Sequence, residues 1–366
     1  MIRLKRISVE GFRSIRSLQD LEFGSLNVLI GANGAGKSNL VQLFRMLNAM
    51  AQEPGRLQEW IALRGGASWN LFDGAATTPQ LTVAIDFASE LPTDYRYFAR
   101  LGYAAGDSLV FLEERMWPSG VSPMLWASLG APGVRESGLH GELLASAAVI
   151  RDQLTRCEAY HFHNTSPRAP LRQNRPVDDN TPLYDDAANL GSYLLRLSQD
   201  YPHSFKRIGD TLRQIAPYFS SFVLEPQHGF VALRWRETNS QTVFHASQMS
   251  DGTLRAVALL TLLLQPVELQ PAVILIDEPE LGLHPYAIEL IGGLIRAASV
   301  DRQIIVSTQS PDLLNEFNPE EVITVERRGR ESVFKRLDTE DLAGWLDEYS
   351  LSDLWQKNVL GGRRTR

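Results

Sequence analysis

The feature that most constrains this chain is a glycine-rich octapeptide near its N-terminus, residues 31–38 (GANGAGKS), which matches the pattern G-x-x-x-x-G-K-[ST] in full. The preceding run, Leu26–Ile30, is short and mostly apolar, which predicts a buried strand that leads into a tight loop. Residues 39–50 carry apolar side chains at helical spacing. Strand, glycine loop and helix are therefore predicted in the order that a phosphate-binding loop requires.

Each residue type in this loop serves phosphate binding. Glycines allow backbone angles that other residues avoid, so that successive N–H groups point at phosphate oxygens, and the N-terminal end of the following helix adds positive potential. We expect Lys37 to reach the β- and γ-phosphates and the Ser38 hydroxyl to ligate Mg²⁺. The sequence thus predicts bound ATP and Mg²⁺, with nucleotide contacts from Gly31, Asn33, Gly34, Gly36, Lys37, Ser38 and Asn39.

A second element, residues 272–278 (AVILIDE), supplies two acids after an apolar run. The predicted strand ends at Asp277, whose carboxylate can hold Mg²⁺ through water, and Glu278 can polarise the attacking water. A strand that ends in an acidic turn is common by itself, but the upstream glycine loop favours the functional interpretation. Two adjacent acids favour hydrolysis over binding alone, with Glu278 and Lys37 as catalytic residues.

A third element, residues 249–255 (MSDGTLR), lies directly before an apolar helix. Ser250 and Gly252 at a helix start offer a hydroxyl and free amides to a second anion. Taken alone, Ser250 is a plain N-cap. Because a strand that ends in Asp-Glu follows at a plausible distance, we prefer the anion-binding interpretation.

Charge and cysteine content exclude several classes of protein. The chain has 36 basic and 43 acidic residues and a formal net charge of −7, so nucleic-acid contact would need a local basic face or one made by dimerisation. Cys157 is the single cysteine, which excludes an intrachain disulfide and a cysteine-based zinc site. The longest apolar stretch, residues 256–264, is far shorter than the roughly 20 residues that span a bilayer. We expect a soluble, cytoplasmic protein that has no membrane partner.

The pattern of apolar and turn residues predicts how the chain is organised. Residues 1–50 and 206–340 are expected to form two halves of one α/β head. Residues 51–205 are expected to be an insertion, β-rich and then helical, with a Pro- and Arg-rich loop at 165–182. Residues 341–366 are predicted to form a C-terminal helix and a basic tail.

Further expectations concern one pair of strands, a coiled-coil arm and an appended nuclease domain. Residues 222–224 and 230–235 are predicted to form a hairpin. The chain has no heptad run, so we expect no long coiled-coil arm. Too little sequence follows the last motif for an appended nuclease domain, and any nuclease or toxin effector is therefore expected to be another chain.

Together these motifs resemble the SMC/RecF branch of the ABC-type ATPases, in particular short bacterial predicted ATPases akin to RecF and to the ATPase domains of the OLD family. The markers that carry the resemblance are EGFRSI (10–15), GANGAGKS (31–38), MSDGTLR (249–255), ILIDEPELGLHP (274–285) and VSTQSP (306–311). The matching residues cover roughly 1–50 and 215–330. The resemblance implies an α/β P-loop NTPase of the ABC/SMC-head type, with a mixed central sheet flanked by helices, an antiparallel β subdomain and a mostly helical insertion.

The resemblance also implies a head-to-tail homodimer around two ATP molecules. In this family the signature loop binds the γ-phosphate of ATP held by the other subunit, so Ser250 and Gly252 would act in trans, and residues 281–284 would cross the interface. Arg13 lies where related proteins carry an arginine near the nucleotide, although an exposed arginine at a strand end is nearly as good an interpretation. Gln309 takes the position of a histidine that senses the γ-phosphate; it can donate to phosphate but cannot titrate, so turnover is expected to be slow.

Weaker features leave alternatives open. In related proteins a glutamine contributes to the Mg²⁺ site, and Gln58 and Gln80 are the two candidates for it in this sequence. His161 and His163 could bind a metal, although structural histidines are the better interpretation because no third ligand is evident. Three arginines of the 165–182 loop could touch nucleic acid or a partner, but a solvated loop is favoured for Arg168, Arg172 and Arg175.

We therefore expect an ATP-hydrolysing switch that dimerises and serves DNA repair or defence against phage, either on double-stranded DNA or through a separate effector nuclease or toxin. The alternative is a slow or non-hydrolysing ATP sensor, a scaffold that restrains such an effector. A nucleotide-binding subunit of a transporter is disfavoured, because the EGFRS and DEPELGLHP sequences resemble the RecF branch.

Overall fold

Two six-stranded sheets organise the chain. The structure, a computed structural model, describes residues 2–89, 94–118, 126–141, 145–346 and 348–361. One sheet is antiparallel and formed early in the sequence, whereas the other is mixed and collects strands from the whole chain. The mixed central sheet, the antiparallel sheet and the flanking helices confirm the expected fold class.

The antiparallel sheet consists of β1 (Ile2–Phe12), β2 (Ile15–Glu22), β4 (Gln80–Ser89), β5 (Tyr95–Ala104), β6 (Ser108–Pro118) and β7 (Ala127–Ser128). Their order across the sheet is β2-β1-β4-β5-β6-β7. β1 pairs with β4 along most of its length, from Ile2 opposite Ser89 to Glu10 opposite Thr82. Alternate residues of β1 and β4 point into the core, as expected of strands with one face buried.

The central sheet consists of β3 (Leu26–Ile30), β8 (Cys157–Tyr160), β14 (Val273–Asp277), β15 (Gln303–Thr308), β16 (Val322–Arg328) and β17 (Glu331–Arg336). The order is β17-β16-β3-β15-β14-β8, and only β17 runs antiparallel to its neighbour. β3, β14 and β15 are almost wholly buried, as the uninterrupted apolar runs predict. Their carboxyl ends meet at one edge, which is where ligands bind in open α/β sheets.

Eleven described helices pack on these sheets. They are α1 (Lys37–Gln52), α2 (Arg56–Leu63), α3 (Ala67–Asn70), α4 (Ala145–Thr155), α5 (Leu190–Asp200), α6 (Pro202–Ile215), α7 (Asp251–Leu264), α8 (Pro285–Ala298), α9 (Pro311–Leu314), α10 (Thr339–Leu346) and α11 (Leu351–Gln356). α1 shares one hydrophobic core with strands of both sheets. α7 is apolar on all sides and belongs to the core on the opposite face of the central sheet, as expected of a helix covered all round. None of the helices within the described ranges is long and apolar enough to span a membrane.

The segment between residues 51 and 205 contributes strands to both sheets. β4 to β7 extend the antiparallel sheet that β1 and β2 begin, and β8 forms an edge of the central sheet beside β14. Of the described strands in this segment, only the short β9 (Arg175–Pro176) pairs outside the two large sheets. The division of the chain into a head and an insertion therefore remains a prediction.

The predicted hairpin of residues 222–224 and 230–235 is confirmed in part, because Phe222 and Val223 pair antiparallel with Trp235 and Arg234. The remaining short strands are β10 (Phe219–Val223), β11 (Phe230–Val231), β12 (Arg234–Glu237) and β13 (Val243–His245). β10 pairs with β12, whereas β11 pairs with β9. His228 and Gly229 have positive φ angles of 53° and 82°, and this turn directs Phe230 and Val231 toward β9.

The C-terminal region is predicted to form a helix and a basic tail. The structure has two short helices there, α10 and α11, and the basic tail at 362–366 lies outside the described residues.

The two sheets are joined through the side chain of Gln303, the first residue of β15. Its Oε1 accepts from the Leu4 N–H at 2.9 Å, and its Nε2 donates to the carbonyls of Leu4 at 2.7 Å and Gly24 at 2.8 Å. The side chain is buried, with 2% of the residue exposed. One amide side chain therefore satisfies three backbone groups where β1 approaches the central sheet.

Replacing Gln303 tests this junction. Gln303→Ala is expected to lower the free energy of unfolding by at least about 2 kcal/mol, because each buried backbone group left without a partner costs about 1–3 kcal/mol. Denaturant unfolding measures the change. The exposed Gln19→Ala is the matched control and should cost no more than about 0.5 kcal/mol; an equal effect of both substitutions would contradict the assigned role of Gln303.

Candidate nucleotide-binding site

Lys37 is the first residue of α1, and its ammonium group folds back over the glycine loop. Nζ donates to the carbonyl of Gly31 at 2.6 Å and to that of Ala32 at 3.4 Å, and only 5% of the residue is exposed. The helix begins after Gly36, which has a φ angle of 113°, a backbone conformation that favours glycine. The loop is thus closed around its own lysine.

Three acids, one at the end of β14 and two in the loop after it, act electrostatically on this lysine. Burial lowers the pKa of Lys37, and the negative charges of Glu278, Asp277 and Glu280 oppose that shift. The structure therefore brings the predicted loop and the two predicted acids together at the carboxyl edge of the central sheet. It adds Glu280, which sequence reasoning had not singled out.

The glycines of the loop are required for different physical reasons. A Cβ on Gly31 would lie 2.4 Å from the Val325 carbonyl oxygen, and one on Gly36 would lie 2.0 Å from Ser332 Oγ. Gly34 has open space around it but a φ angle of 79°. Close packing therefore requires two of these glycines and backbone conformation requires the third.

Ser38 and Asn39 follow in the first turn of α1 and have different environments. Ser38 is exposed, so its hydroxyl is available to a ligand. Asn39 Nδ2 donates to Ser14 Oγ at 2.6 Å, and Ser14 Oγ lies 2.7 Å from Ser332 Oγ. Ser332 donates in turn to the Ala35 carbonyl at 2.6 Å. Asn39 therefore supports the shape of the loop through two serines that sequence reasoning missed.

Asp277 and Glu278 are fixed by the neighbouring strand. Asp277 is the last residue of β14, and its carboxylate accepts from the hydroxyl of Ser307, its partner on β15. Glu278 has a φ angle of 46°, and its N–H donates to the Ser307 carbonyl at 2.8 Å. A positive φ at a non-glycine residue is strained, and such strain clusters at functional sites.

Gln309 holds the candidate catalytic carboxylate. Its Nε2 donates to Glu278 Oε1 at 3.0 Å, and its own N–H donates to Glu280 Oε1 at 3.1 Å. Glu280 also accepts from Thr308 Oγ1 at 2.7 Å, while burial raises the pKa of this carboxyl above its usual range. Glu280 thus positions the residue that contacts Glu278. Its place in the DEPE sequence, two residues after the second acid, is the signal that could have found it.

Ser250 and Gly252 lie at the start of α7, apart from this group. Ser250 is exposed and caps the helix, accepting from the Thr253 N–H at 3.2 Å. A Cβ on Gly252 would lie 2.3 Å from the Gly282 carbonyl oxygen, so the helix start packs against the 281–284 loop. Among the described residues, no hydrogen bond joins Ser250 to the glycine loop or to the two acids.

Arg13 is half-buried and is not an exposed arginine at a strand end. Its Nε donates to Asn70 Oδ1 at 3.0 Å, and its guanidinium lies 5.8 Å from the ring centroid of Trp60. Burial lowers its pKa. The backbone of Arg13 has a φ angle of 49° and its N–H donates to the Asn70 carbonyl, so a local turn fixes the side chain.

A cavity of about 650 Å³ is lined by Arg13 and by Ser14 and Asn39, the two residues that support the glycine loop. Trp69 also lines it, and 78% of this residue is exposed. An exposed indole is an apolar surface on which a flat aromatic ligand can stack. Sequence reasoning did not single out this position.

The structure supports neither Gln58 nor Gln80 as the glutamine of the Mg²⁺ site. Gln58 donates to the carbonyls of Leu109 and Arg135, and Gln80 is exposed at the start of β4, in the antiparallel sheet. The residues after β8 include His163, whose Nε2 lies 2.9 Å from the carbonyl oxygen of Asp277. The structure thus places a histidine beside the acids.

The two histidines after β8 have separate partners. His161 Nδ1 lies 2.6 Å from Arg45 Nη2, and burial together with the Arg45 charge lowers the pKa of His161. His163 contacts the Asp277 backbone. Within the described parts of the chain, no three His, Cys, Asp or Glu side chains are grouped as metal ligands.

The arginines of the 165–182 loop differ in exposure. Arg168 is exposed, and Arg175 is half-buried and donates to the Ala188 carbonyl at 3.2 Å. The side chain of Arg172 is only 5% exposed and pairs with Asp251 at 2.7 Å. The expectation of a solvated side chain is therefore wrong for Arg172, because the loop packs against the start of α7.

The fold and this site define an SMC/RecF-type ABC ATPase class. The sequence profile of the family described as "AAA domain, putative AbiEii toxin, Type IV TA system" matches residues 26–315, so the chain belongs to that family. A comparison with curated protein sequences finds no match.

Solved structures with a similar fold are SMC head domains. An Smc head bound to the C-winged helix domain of ScpA has a TM-score of 0.60 at 17% identity, covering 93% of this chain and 99% of that one. An Smc head with an extended coiled coil from Pyrococcus furiosus, bound to the C-terminal domain of ScpA, has a TM-score of 0.58 at 16% identity, covering 95% and 99%. The SMC head domain from Thermotoga maritima has a TM-score of 0.51 at 15% identity, covering 92% and 99%. At these identities the likeness establishes the fold alone.

Gly31→Ala tests the packing of the loop. The added methyl group would clash with the backbone of β16 and displace the loop, so we expect ATP affinity to fall at least about tenfold, the equivalent of about 1.4 kcal/mol. Titration with a fluorescent ATP analogue measures it. Gly293→Ala, in an open position of α8, is the control and should leave affinity unchanged; unchanged affinity in both variants would contradict the close packing of Gly31.

Proposed function

We propose that this protein binds Mg²⁺–ATP, hydrolyses it slowly, and uses ATP to close a head-to-tail dimer. The observation that carries the proposal is that, among the described residues, Ser250 makes no hydrogen bond to the glycine loop or to the two acids of its own chain. Lys37, Asp277 and Glu278 meet at the carboxyl edge of the central sheet, whereas Ser250 lies exposed at the start of α7. A site of this class needs both groups, so a second copy would supply the missing one.

The residues at this site fit a nucleoside triphosphate with its Mg²⁺ ion. Lys37 is buried with two loop carbonyls as partners, and an anionic phosphate is a better partner for an ammonium than a neutral carbonyl. Ser38 offers an exposed hydroxyl and Asp277 a carboxylate, which are oxygen donors of the kind that Mg²⁺ prefers. Bound there, Mg²⁺ would neutralise charge on the phosphate oxygens.

Glu278 is the residue we assign to orient the attacking water. Its Oε1 accepts from Gln309, which fixes the plane of the carboxylate and leaves Oε2 to accept a hydrogen bond from water. Gln309 is in turn fixed by the buried Glu280. Because Gln309 cannot titrate, it can orient Glu278 but cannot accept the proton, which supports slow turnover.

The nucleoside end is assigned to the cavity beside Arg13. Asn39, which directly follows the glycine loop, and its hydrogen-bond partner Ser14 both line this cavity, so it is the space next to the loop into which a nucleotide with its phosphates on the loop would extend. The indole of Trp69 would then stack on the base.

The output of the switch is proposed to pass through an effector protein in the cytoplasm. A net charge of −7 disfavours a role as a general DNA binder. The family description names a putative toxin and a toxin–antitoxin system, which supports a separate nuclease or toxin effector in defence against phage. Double-stranded DNA repair is the other process this class of switch could drive, and a local basic face made on dimerisation would then be required.

A slow or non-hydrolysing ATP sensor is the second candidate. The hydrogen bond from Gln309 to Glu278 favours it, because a neutral amide holds one oxygen of the carboxylate assigned to act on water. In that case ATP binding alone would set the conformation of a scaffold that restrains the effector, and this restraint would not depend on the rate of hydrolysis.

Glu278→Gln separates the two candidates. For a hydrolysing switch we expect phosphate release to fall about 10²–10⁴-fold, since the general base is lost, and the variant should accumulate as an ATP-bound dimer. Phosphate release and light scattering after size exclusion measure both effects. Glu289→Gln, exposed on α8, is the control. A variant that releases phosphate at the wild-type rate and stays monomeric with ATP would exclude the switch.

Trp69→Ala tests the position of the base. We expect ATP affinity to fall by about 1–3 kcal/mol, the range for base stacking on an aromatic side chain, while affinity for inorganic triphosphate stays unchanged and Trp69→Phe keeps most of the affinity for ATP. Competition against a fluorescent ATP analogue measures each. Trp126→Ala, at another exposed indole, is the control. Equal ATP affinity in Trp69→Ala and wild type would place the base elsewhere.

A further inference from the structure

We propose that Arg172 is a positioning residue that prepares the start of α7 to receive the second ATP, and that residues 161–172, the bridging segment, link it to the acids of the same chain. The inference rests on the proposed function, because it concerns the surface that would meet ATP bound by the other copy. It assigns a role to an arginine outside the family motifs.

Arg172 holds the residues that precede α7. Its Nη1 donates to the carbonyl of Ala246 and, at 3.2 Å, to that of Met249, while its Nε donates to the Thr165 carbonyl at 2.9 Å. The side chain is 5% exposed. These carbonyls fix the chain immediately before Ser250, so the guanidinium determines where that serine stands.

Arg172 also neutralises an acid at the helix start. Its Nη2 donates to Asp251 Oδ1 at 2.7 Å, and the Asp251 side chain is 62% exposed. A carboxylate suits a helix N-terminus in the absence of ligand, but it repels an incoming phosphate. The sequence Ser-Asp-Gly places that negative charge between Ser250 and Gly252, the two residues assigned to the γ-phosphate. Arg172 supplies the charge that offsets it.

The other end of the bridging segment reaches the acids. Thr165, whose carbonyl accepts from Arg172, has a hydroxyl that accepts from Arg255 Nη2 at 3.2 Å. Arg255 Nη2 also donates to the His163 carbonyl at 2.9 Å, and His163 Nε2 donates to the Asp277 carbonyl at 2.9 Å.

Arg255 adds a contact to the loop that follows the acids. Its Nη1 donates to the Leu281 carbonyl at 3.1 Å, and Gly282 lies against Gly252 at the start of α7. A continuous set of hydrogen bonds therefore runs from the Asp277 backbone to the chain around Ser250. These bonds connect the backbone of the candidate metal ligand to the surface offered to the second ATP.

The test uses the full-length chain in the Glu278→Gln background, where ATP is expected to trap the dimer. Adding Arg172→Ala should lower the ATP-dependent dimer fraction and raise the apparent dissociation constant of the dimer at least about tenfold, because the positive charge that offsets Asp251 next to the bound phosphate is lost. Affinity of the monomer for a fluorescent ATP analogue should change less than about twofold, since its own phosphate loop is intact. Arg168→Ala, exposed on the same loop, is the control and should dimerise like the parent.

A charge-specific readout distinguishes positioning from general loss of structure. Asp251→Asn combined with Arg172→Ala should restore part of the lost dimerisation, because it removes the unpaired negative charge. Arg172→Gln, which keeps a hydrogen-bond donor for the carbonyls, serves if Arg172→Ala fails to fold, and it should show the same loss and the same rescue.

The outcomes separate this inference from the proposed function. If Glu278→Gln alone does not dimerise with ATP, the proposed function fails. If that parent dimerises and the Arg172 variants dimerise equally well, or lose dimerisation without rescue by Asp251→Asn, the role assigned to Arg172 is overturned.

Discussion

The buried ammonium of Lys37 is the interaction on which the rest of the site depends. It donates to the Gly31 and Ala32 carbonyls, and the negative charges of three acids, at the end of β14 and in the loop after it, act on it. A buried cation is stable only when acceptors and negative charge surround it. The central sheet meets this requirement, because the parallel strands β3, β15 and β14 place the glycine loop and the acids at the same edge.

Local chemistry explains why part of this site can be predicted from sequence. The loop from Gly31 to Ser38 is a contiguous strand–loop–helix unit, and Asp277 and Glu278 follow directly from an apolar run. In each case neighbouring residues carry the signal, and the structure brings the two units together as expected.

The features of the site that could not be predicted from sequence depend on contacts between residues that lie far apart in the chain. Ser14 and Ser332 meet across 318 positions, and Arg172 reaches Met249 across 77. Periodicity identifies a strand but not its partner, so β8 was assigned to an insertion although it pairs with β14 in the central sheet. Trp69 could not be distinguished from a packing tryptophan, because its exposure depends on the whole fold.

In the proposed dimer, one ATP is held by the glycine loop of one copy and by the start of α7 of the other. Mixing two inactive variants, Lys37→Ala and Ser250→Arg, tests it most directly, because a head-to-tail mixed dimer contains one intact composite site. Random pairing predicts that an equal mixture recovers about a quarter of the wild-type ATPase rate. A mixture as inactive as its two components, with mixed dimers present, would contradict the shared site.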